Sequence, residues 1–340
     1  MGAVIPKQVI ESDTSQNLIA AGLQRIHQGK IRDTYAHPEQ SNLMLPVATD
    51  RLSIFDFVLP ILVPHKGEIL TALTRFWLMK ILAGFPNHLE SSKKDSKLNA
   101  VHDLKSKFPI IPLERCLAVK KSEIPPFEMI FRHHIGGSVY EKYLETSTAG
   151  GHKLPPGLTK WSYLKKPIFT PSTKEEHGHD INIDAAFYLE QNGKRGEKAI
   201  GMFRRAYSRT YAYACTRGIL ILDTKFEGID VISDEVLTPD SSRFTTSEDF
   251  QKAIEEERDP AFYDKQPVRE WGVTVKTPFG RGINKLDPRN TDHLSFVSHL
   301  DIPEDVVIAT TNRYIDIFRC LVGCTLHDYQ RNVMYVGGKR

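Results

Sequence analysis

The sequence GILILDTKFEGIDVISDEVLTPDSSRF, residues 218–244, joins apolar strands to a high density of charged side chains. Its apolar run ILIL leads into Asp223, Lys225 and Glu227, and a second extended piece, IDVI, leads into further acidic residues that begin at Asp234. Burying acid-tipped strands is costly unless the carboxylates meet a cation, and Mg2+ prefers carboxylate and phosphate oxygens as ligands. The pattern therefore predicts the metal-binding, catalytic end of a nucleotide-using enzyme. The alternative is a pair of ordinary strands with solvated acidic turns.

Composition narrows the class of protein. The chain has 340 residues, 40% of them hydrophobic and 26% charged, which fits one large or two closely packed globular domains. Because the net charge is only +3 and no long basic block occurs, we expect no nucleic-acid partner. No apolar run approaches the roughly 20 residues of a membrane span, so we expect no membrane partner either. Four cysteines do not make a disulfide scaffold, which favours the reducing cytoplasm.

Hydrophobic spacing and turn residues predict an α+β fold with antiparallel sheets and segregated helices. We expect a hairpin formed by GKIRDTYA and LMLPVATD, a helix in EILTALTRFWLMKILAG, and a strand at FEMIFRHH. Two helices are predicted in DAAFYLEQNG and GEKAIGMFRRAYSRTYAYACTRG, and a C-terminal helix follows Pro303. Residues 146–173, rich in Pro, Gly, Lys and Thr, are predicted to be a long irregular connection.

Gly29, Lys30 and Arg32 lie at the start of the predicted hairpin. Glycine allows backbone to approach a phosphate closely, and cations on alternate residues share one face of a strand. This suits a lid over a triphosphate, although a surface strand with a basic face would look the same. Neither a Walker A motif nor G-x-G-x-x-G occurs in the chain.

Arg132, Gly137 and Ser138 join the FEMIFRHH strand to a helix. An arginine, two adjacent glycines, a hydroxyl and free backbone N–H groups at a helix start can bind a phosphomonoester. The competing interpretation is a capping box of Ser138 with Glu141, which needs no ligand.

Asp50, Arg51 and Ser53 follow the second hairpin strand, and Lys66 precedes the long helix. These residues are weaker candidates for substrate contacts. Polar groups at a strand end also form ordinary turns, and a lysine near a helix start either holds an anion or merely begins the helix.

Two histidine groups are candidate metal ligands only on superficial inspection. His177, His179 and Asp180 lack a second ligand cluster, so loop or substrate contacts are preferred to a zinc site. His133 and His134 are predicted to pack, not to bind a metal.

Together these segments resemble the long, single-function form of the SAICAR synthetase (phosphoribosylaminoimidazole-succinocarboxamide synthase) family of purine biosynthesis. The most specific motif is D-x-K-x-E followed by D-E-x-x-[ST]-P-D-[SG]-S-R, within residues 223–243. The chain departs from the family at RHHIGG, where Arg-Gly-Tyr or Arg-Asn is more common, but Arg132, Gly137 and Ser138 keep their places. The other matching segments are GKIRDTY, VATDRLSIFD, HKGEILTALTRFW, PPFEMIFRHHIGGSVYEKY, KLPPGLTKW and IFTPSTKEEHGHDINI.

The resemblance implies a kinase-like N-terminal antiparallel β-domain packed on a larger ATP-grasp-like α+β domain with a C-terminal helix. We place these domains at residues 1–118 and 119–340. The implied reaction is ATP-dependent ligation of L-aspartate to 5-aminoimidazole-4-carboxylate ribonucleotide (CAIR), through a phosphorylated carboxylate, giving SAICAR, ADP and phosphate. ATP is a co-substrate and Mg2+ the metal, and the protein is expected to be a monomer or a homodimer.

The family pattern also implies residue roles. Glu227 and Asp234 would hold Mg2+ on ATP, and Lys225, Asp223 and Asp240 would be catalytic. The triphosphate would be contacted by Gly29, Lys30 and Arg32. Substrate contacts would come from Arg132, Gly137, Ser138 and Arg243 at the 5′-phosphate, and from Asp50, Arg51, Ser53 and Lys66 elsewhere.

Two other classes share these features. A small-molecule kinase would also have a β-lid, a lysine and acidic metal ligands, but it would release ADP with a stable phosphorylated product. A non-catalytic nucleotide-binding module would bind ATP without any aspartate-dependent formation of ADP.

Overall fold

The computed structural model describes residues 13–174 and 180–337. The helices are α1 (Asp13–Ala20), α2 (Lys66–Phe76), α3 (Val101–Leu104), α4 (Ser138–Thr146), α5 (Ala185–Thr216), α6 (Ser247–Glu255), α7 (Gln266–Thr274), α8 (Thr291–Ser298), α9 (Glu304–Val322) and α10 (Leu326–Asn332). The strands are β1 (Arg25–Gln28), β2 (Arg32–Ala36), β3 (Leu43–Ala48), β4 (Arg51–Ile54), β5 (Phe57–Leu62), β6 (Val119–Lys120), β7 (Phe127–His134), β8 (Thr148–Ala149), β9 (His152–Lys153), β10 (Tyr163–Phe169), β11 (Ser172–Thr173), β12 (Ile219–Phe226), β13 (Ser242–Thr246), β14 (Lys276–Thr277) and β15 (Gly280–Arg281). Within the described part of the chain, no helix is both long and apolar enough to span a bilayer. The predicted α+β class with antiparallel sheets is confirmed.

The N-terminal sheet has the strand order β1-β2-β3-β6, with antiparallel neighbours. The predicted hairpin is confirmed, since β2 pairs with β3 and Arg32 lies opposite Ala48. Burial alternates along both strands, so that Tyr35 and Leu45 face the core while Arg32 points to the other face. Lys30 lies in the bend before β2, so the prediction that it shares a strand face with Arg32 is wrong.

The second sheet, here called the catalytic sheet, has the order β10-β7-β12-β13, and β11 also pairs with β7. Its central pairing places Asp223 opposite Arg132 on β7 and opposite Arg243 on β13. Because alternate residues of a strand share a face, Lys225 lies on the same face of β12 as Asp223, and Glu227 follows directly after the strand ends at Phe226.

Helices bury the apolar face of the catalytic sheet. Helix α5 packs on β12 and β7, and α2 packs on α9, which ends at Gly323 in a left-handed conformation with φ of 84°. The two helices predicted between residues 184 and 218 are confirmed: within α5, Gly193 has a non-helical conformation, with φ of 52° and ψ of −142°, and separates two helical segments. The C-terminal helix after Pro303 is confirmed.

Two expectations about secondary structure are wrong: that residues 146–173 are irregular, and that IDVI is an extended strand. Residues 146–173 contain β10, which joins the sheet at its edge, where Pro167 costs no ladder hydrogen bond on the open side. The IDVI piece, residues 229–232, is not a strand. It is a loop closed by the isolated bridge between Glu227 and Ser233 and attached to Asn87 by a bridge at Ile232.

The β4–β5 hairpin packs in an apolar cluster with α7 and α8, including Leu52, Phe57, Val268 and Val297. Part of the N-terminal segment therefore contacts the C-terminal helices directly. The division into domains at residues 118 and 119 stays a prediction.

Candidate active site

A row of three charged residues crosses the catalytic sheet. The Asp223 carboxylate lies 3.3 Å from Arg132 Nη1 and 3.1 Å from Arg243 Nη1. Arg132 is buried and donates from Nε to the Thr170 hydroxyl at 2.8 Å, while about a third of the Arg243 side chain is exposed, 32%. Asp223 thus fixes both guanidinium groups, and Arg243 is the one that remains accessible to an anion.

The turn before α4 brings further phosphate-binding groups to this row. Gly137 has φ of 59° and is the N-cap, so Ser138 is the first helical residue and makes no capping bond. The predicted capping box is therefore wrong. The exposed Ser138 hydroxyl accepts from Asn182 Nδ2 at 3.0 Å, and a Cβ on Gly137 would lie 3.3 Å from the Arg243 guanidinium. A hydroxyl, a helix N-terminus and an arginine converge here.

The acidic loop begins where β12 ends. Glu227 lies 2.6 Å from Lys174 Nζ, and Asp234 lies 2.9 Å from Arg32 Nη2. Burial, and next the charge of Asp234, raise the pKa of Glu227. Burial alone would raise the pKa of Asp234 as well, but the cations Arg32 and Lys174 outweigh it and lower that pKa. Glu227 also forms an isolated bridge with Ser233, the neighbour of Asp234, which brings the two acidic residues to the same part of the loop.

Asp234 has φ of 58°, a left-handed conformation that is uncommon for a non-glycine residue. Such strain tends to occur at functional sites. No group of three or more His, Cys, Asp or Glu side chains able to hold a metal exists among the residues with described positions. Two adjacent carboxylates, here neutralised by Lys174 and Arg32, nevertheless fit Mg2+, which takes one or two protein carboxylates and completes its shell with phosphates and water.

Lys225 lies midway between the arginine row and the acidic loop. Its ammonium is 2.7 Å from Glu128 Oε1, and Glu128 Oε2 accepts from the Ser172 hydroxyl at 3.1 Å. Burial would lower the pKa of Lys225, but the charges of Glu128 and Glu227 raise it, so the side chain stays cationic.

Asp240 lies in a buried charged cluster. Its carboxylate is 2.6 Å from Lys66 Nζ and 3.9 Å from Lys265 Nζ, and it accepts from the Tyr314 hydroxyl at 2.6 Å. Burial would raise the pKa of Asp240, but Lys66 and Lys265 lower it strongly. The fully buried Lys66 therefore serves as the counter-ion of Asp240 in this conformation.

The turn of residues 29–32, here called the lid turn, is fixed by hydrogen bonds within the turn and from Arg51. The Gly29 N–H donates to the Arg32 carbonyl at 2.6 Å, and a Cβ at position 29 would lie 2.7 Å from that oxygen, which explains the glycine. Arg51 is fully buried, pairs with Asp33 and donates to the Gly29 carbonyl at 2.9 Å. Lys30, half-exposed, lies 2.7 Å from Asp56.

The weaker substrate candidates have structural partners. Asp50 forms two bonds to Arg115, of 2.7 and 2.9 Å, and accepts from the Gly67 N–H at 2.9 Å. Ser53 is buried on β4, and Arg51 supports the lid. The prediction that Asp50, Arg51, Ser53 and Lys66 contact substrate stays a prediction. The intramolecular partners of these residues do not support it.

The histidines of RHHIGG are buried at the end of β7. His133 bonds to the Leu164 carbonyl at 2.8 Å and stacks on Tyr163. His134 bonds to the Trp161 carbonyl at 2.9 Å, and burial lowers its pKa to about 4. The predicted packing role is confirmed, whereas His177 and His179 lie outside the described residues.

Sequence reasoning missed four partners of the predicted site: Glu128, Lys174, Lys265 and Tyr314. Each is far along the chain from the residue that it contacts, so no local spacing marks it. One sequence signal was available for Glu128. It lies four residues before Arg132 on β7, and residues four apart on a strand share a face.

Comparison with known proteins gives a consistent result. The model of the family described as SAICAR synthetase matches residues 25–286. The phosphoribosylaminoimidazole-succinocarboxamide synthase of Actinobacillus succinogenes is 41% identical, over 73% of this chain and 86% of its own. That of Thermodesulfovibrio yellowstonii is 36% identical, over 88% of this chain and 96% of its own. The solved SAICAR synthase of Saccharomyces cerevisiae, complexed with SAICAR, is similar with a TM-score of 0.72 and 31% identity, covering 93% of this chain and 99% of that one.

Proposed function

The chain belongs to the SAICAR synthetase family of ligases. On this premise we propose how its residues join L-aspartate to CAIR with consumption of ATP. The reaction gives SAICAR, ADP and phosphate. A carboxylate is unreactive toward an amine because the oxyanion is a poor leaving group. Transfer of the γ-phosphoryl group to a CAIR carboxylate oxygen releases ADP and forms an acyl phosphate. The aspartate amine then attacks the acyl carbon, the carbon–oxygen bond to phosphate breaks, and the amine loses a proton.

The observation that carries the proposal is the layout of β12. The arginine row at Asp223 lies on β12 and Glu227 is the first residue after that strand, so the two are four residues apart, which corresponds to about 13 Å of extended chain at ~3.3 Å per residue. That span accommodates a ribonucleotide with its 5′-phosphate on Arg243 and the Gly137–Ser138 turn, with the buried Arg132 adding positive charge nearby. Its base carboxylate then reaches the acidic loop.

The remaining roles follow from position and charge. Lys225 neutralises the CAIR carboxylate or the transferring phosphoryl group, and Asp240 lies beside the substrate. Gly29, Lys30 and Arg32 cover the triphosphate. Asp223 acts by fixing Arg132 and Arg243, which differs from the catalytic role implied by the resemblance. Most of the protein's contribution is positioning and charge stabilisation.

Mg2+ forms part of the proposal. Glu227 and Asp234 would hold it, and when bound it would neutralise charge on the ATP phosphates. Lys174 and Arg32, which pair with these carboxylates, also place positive charge where the phosphate oxygens would lie. Cytoplasmic location, assembly as a monomer or a homodimer, and the domain division at residues 118 and 119 also stay predictions.

The test is a coupled assay of the purified chain with CAIR, ATP, Mg2+ and L-aspartate. We expect the ultraviolet absorbance of the succinocarboxamide product to rise with the release of ADP and phosphate, and both to require aspartate. ADP release with a stable phosphorylated product in the absence of aspartate would identify a kinase. ATP binding with no turnover would identify a nucleotide-binding module.

We also expect divalent-metal binding to depend on pH through Glu227. Its pKa is raised above the ordinary value of 4.5, and a metal ligand must be deprotonated, so affinity should fall as the pH decreases toward and through a midpoint above 4.5. Asp234, whose pKa is lowered, stays ionised in this window. Electron paramagnetic resonance of Mn2+ in the presence of ADP measures the binding. Glu227→Gln should remove this component while leaving the titration of ADP itself, and an unchanged profile in this variant would contradict the assignment.

A further inference from the structure

Trp161 has an unusual backbone conformation beside the phosphate-binding turn. Its φ of 67° is a genuine outlier for a bulky residue, yet the side chain is 4% exposed. The backbone N–H donates to the Ile135 carbonyl at 2.6 Å, and indole Nε1 donates to Asp259 Oδ1 at 2.8 Å. These bonds hold the strained residue in one orientation.

The indole ring lies directly on the backbone of the turn. A Cβ on Gly136 would fall 2.1 to 2.4 Å from three ring carbons of Trp161, so no side chain larger than hydrogen is compatible with this packing. Position 136 therefore needs glycine for close approach, not for a special φ. The ring and the turn form one rigid unit.

The same ring carries Arg243. The guanidinium carbon lies 5.7 Å from the ring centroid, within the range of a cation–π contact, and Nη1 lies 3.1 Å from Asp223. Two contacts therefore anchor the Arg243 guanidinium: the Asp223 carboxylate and the aromatic face of Trp161. The guanidinium is thereby held next to Gly137, where a Cβ would approach it to 3.3 Å.

We propose that Trp161 is a positioning residue for the substrate 5′-phosphate: its ring holds the Arg243 guanidinium against the Gly137–Ser138 turn. The inference rests on the proposed function and adds a residue that the assigned roles do not include. It predicts that the ring contributes to binding of the ribonucleotide and contributes nothing to binding of ATP, which lies at the opposite end of β12.

The competing interpretation is that Trp161 only fills an apolar cluster with Leu222 and Phe262. Kinetic constants separate the two. For Trp161→Leu we expect the KM for CAIR to rise about 5- to 30-fold, which corresponds to the upper part of the range of one cation–π contact. The KM for ATP and kcat should change less than about twofold. Trp161→Phe keeps an aromatic face and should recover most of the affinity for CAIR.

Trp271→Leu is the matched control, because Trp271 packs at the β4–β5 cluster away from the arginine row. Thermal unfolding of all three variants measures any general loss of stability. A purely structural role would lower the unfolding temperature of Trp161→Leu without a selective change in the KM for CAIR. Equal increases in both KM values would also overturn the proposal.

Fluorescence gives a second readout that packing alone does not move. Binding of a ribonucleoside 5′-monophosphate should change the indole emission of the wild-type chain because its phosphate would bind the Arg243 guanidinium, which contacts the Trp161 ring. The matching nucleoside without phosphate should not, and Trp161→Phe should lose the response. Failure of the proposed function is distinct, since the wild-type chain would then show no CAIR-dependent turnover. Normal wild-type ligation with an unaltered KM for CAIR in Trp161→Leu rejects the role of Trp161 alone.

Discussion

Glu227→Gln is expected to reduce the rate of ligation by about 10³-fold or more at saturating ATP and Mg2+. The substitution keeps the size of the side chain and removes the charge that would hold the metal at the γ-phosphate. Because the lost charge acts on the developing charge of phosphoryl transfer, we expect the effect in kcat as well as in metal affinity. Steady-state rates measured over a range of Mg2+ concentrations test this directly.

The design needs a control for the loss of a negative charge. Glu190→Gln makes the same change on the exposed face of α5 and should leave turnover within about twofold, as expected of a surface substitution. Glu227→Gln also removes the partner of Lys174, but that lysine is 44% exposed and its head group can be solvated, so the fold should be retained. Near-normal turnover of Glu227→Gln at saturating ligands would exclude Glu227 as a metal ligand.

The sequence was sufficient for elements whose signal is local. The β12 strand has a continuous apolar run, whereas the β2–β3 hairpin and the helix after Pro303 are marked by the periodic spacing of their buried residues and by their own turn residues. The acidic loop was also recognisable, because its carboxylates follow a buried strand within a few residues.

The ion pairs that define the site could not be obtained in the same way. Lys225 and Glu128 are 97 residues apart, and Arg32 and Asp234 are 202 apart, so only the tertiary fold brings them together. A local sequence pattern with two interpretations also could not be resolved from the sequence. Ser138 and Glu141 have capping-box spacing, but the positive φ of Gly137 makes that glycine the N-cap.

Position 240 shows how closely stability and function can be connected at a buried charge. Asp240 is almost fully buried against Lys66, and Lys66 itself has no exposed surface. A buried pair of this kind adds little net stability, but removing one member leaves an uncompensated charge. Loss of activity in a single variant would therefore not distinguish a catalytic role from unfolding.

Asp240→Asn alone is expected to lower the free energy of unfolding by about 3–5 kcal/mol, because the Lys66 ammonium loses its partner. Asp240→Asn combined with Lys66→Met removes both charges of the closest pair and should recover most of that stability, because the remaining cation, Lys265, is 3.9 Å from Asp240 and keeps 17% of its side chain exposed. If Asp240 lies at the substrate, the double variant should nevertheless ligate at least about 100-fold more slowly than the wild-type chain. Urea unfolding and the aspartate-dependent assay measure the two properties on the same preparations.

A surface pair supplies the comparison. Asp287→Asn removes the partner of Arg289 on the exterior and should leave both the urea-unfolding curve and turnover essentially unchanged. The pKa of Asp240 is lowered in the folded chain, so its ionisation stabilises the fold above the ordinary aspartate pKa of 3.8, and this stabilisation is lost as the pH falls through the lowered value. The acid-induced loss of stability should thus be smaller in the double variant. A stable double variant with wild-type turnover would remove Asp240 from the catalytic site and leave it as a structural counter-ion.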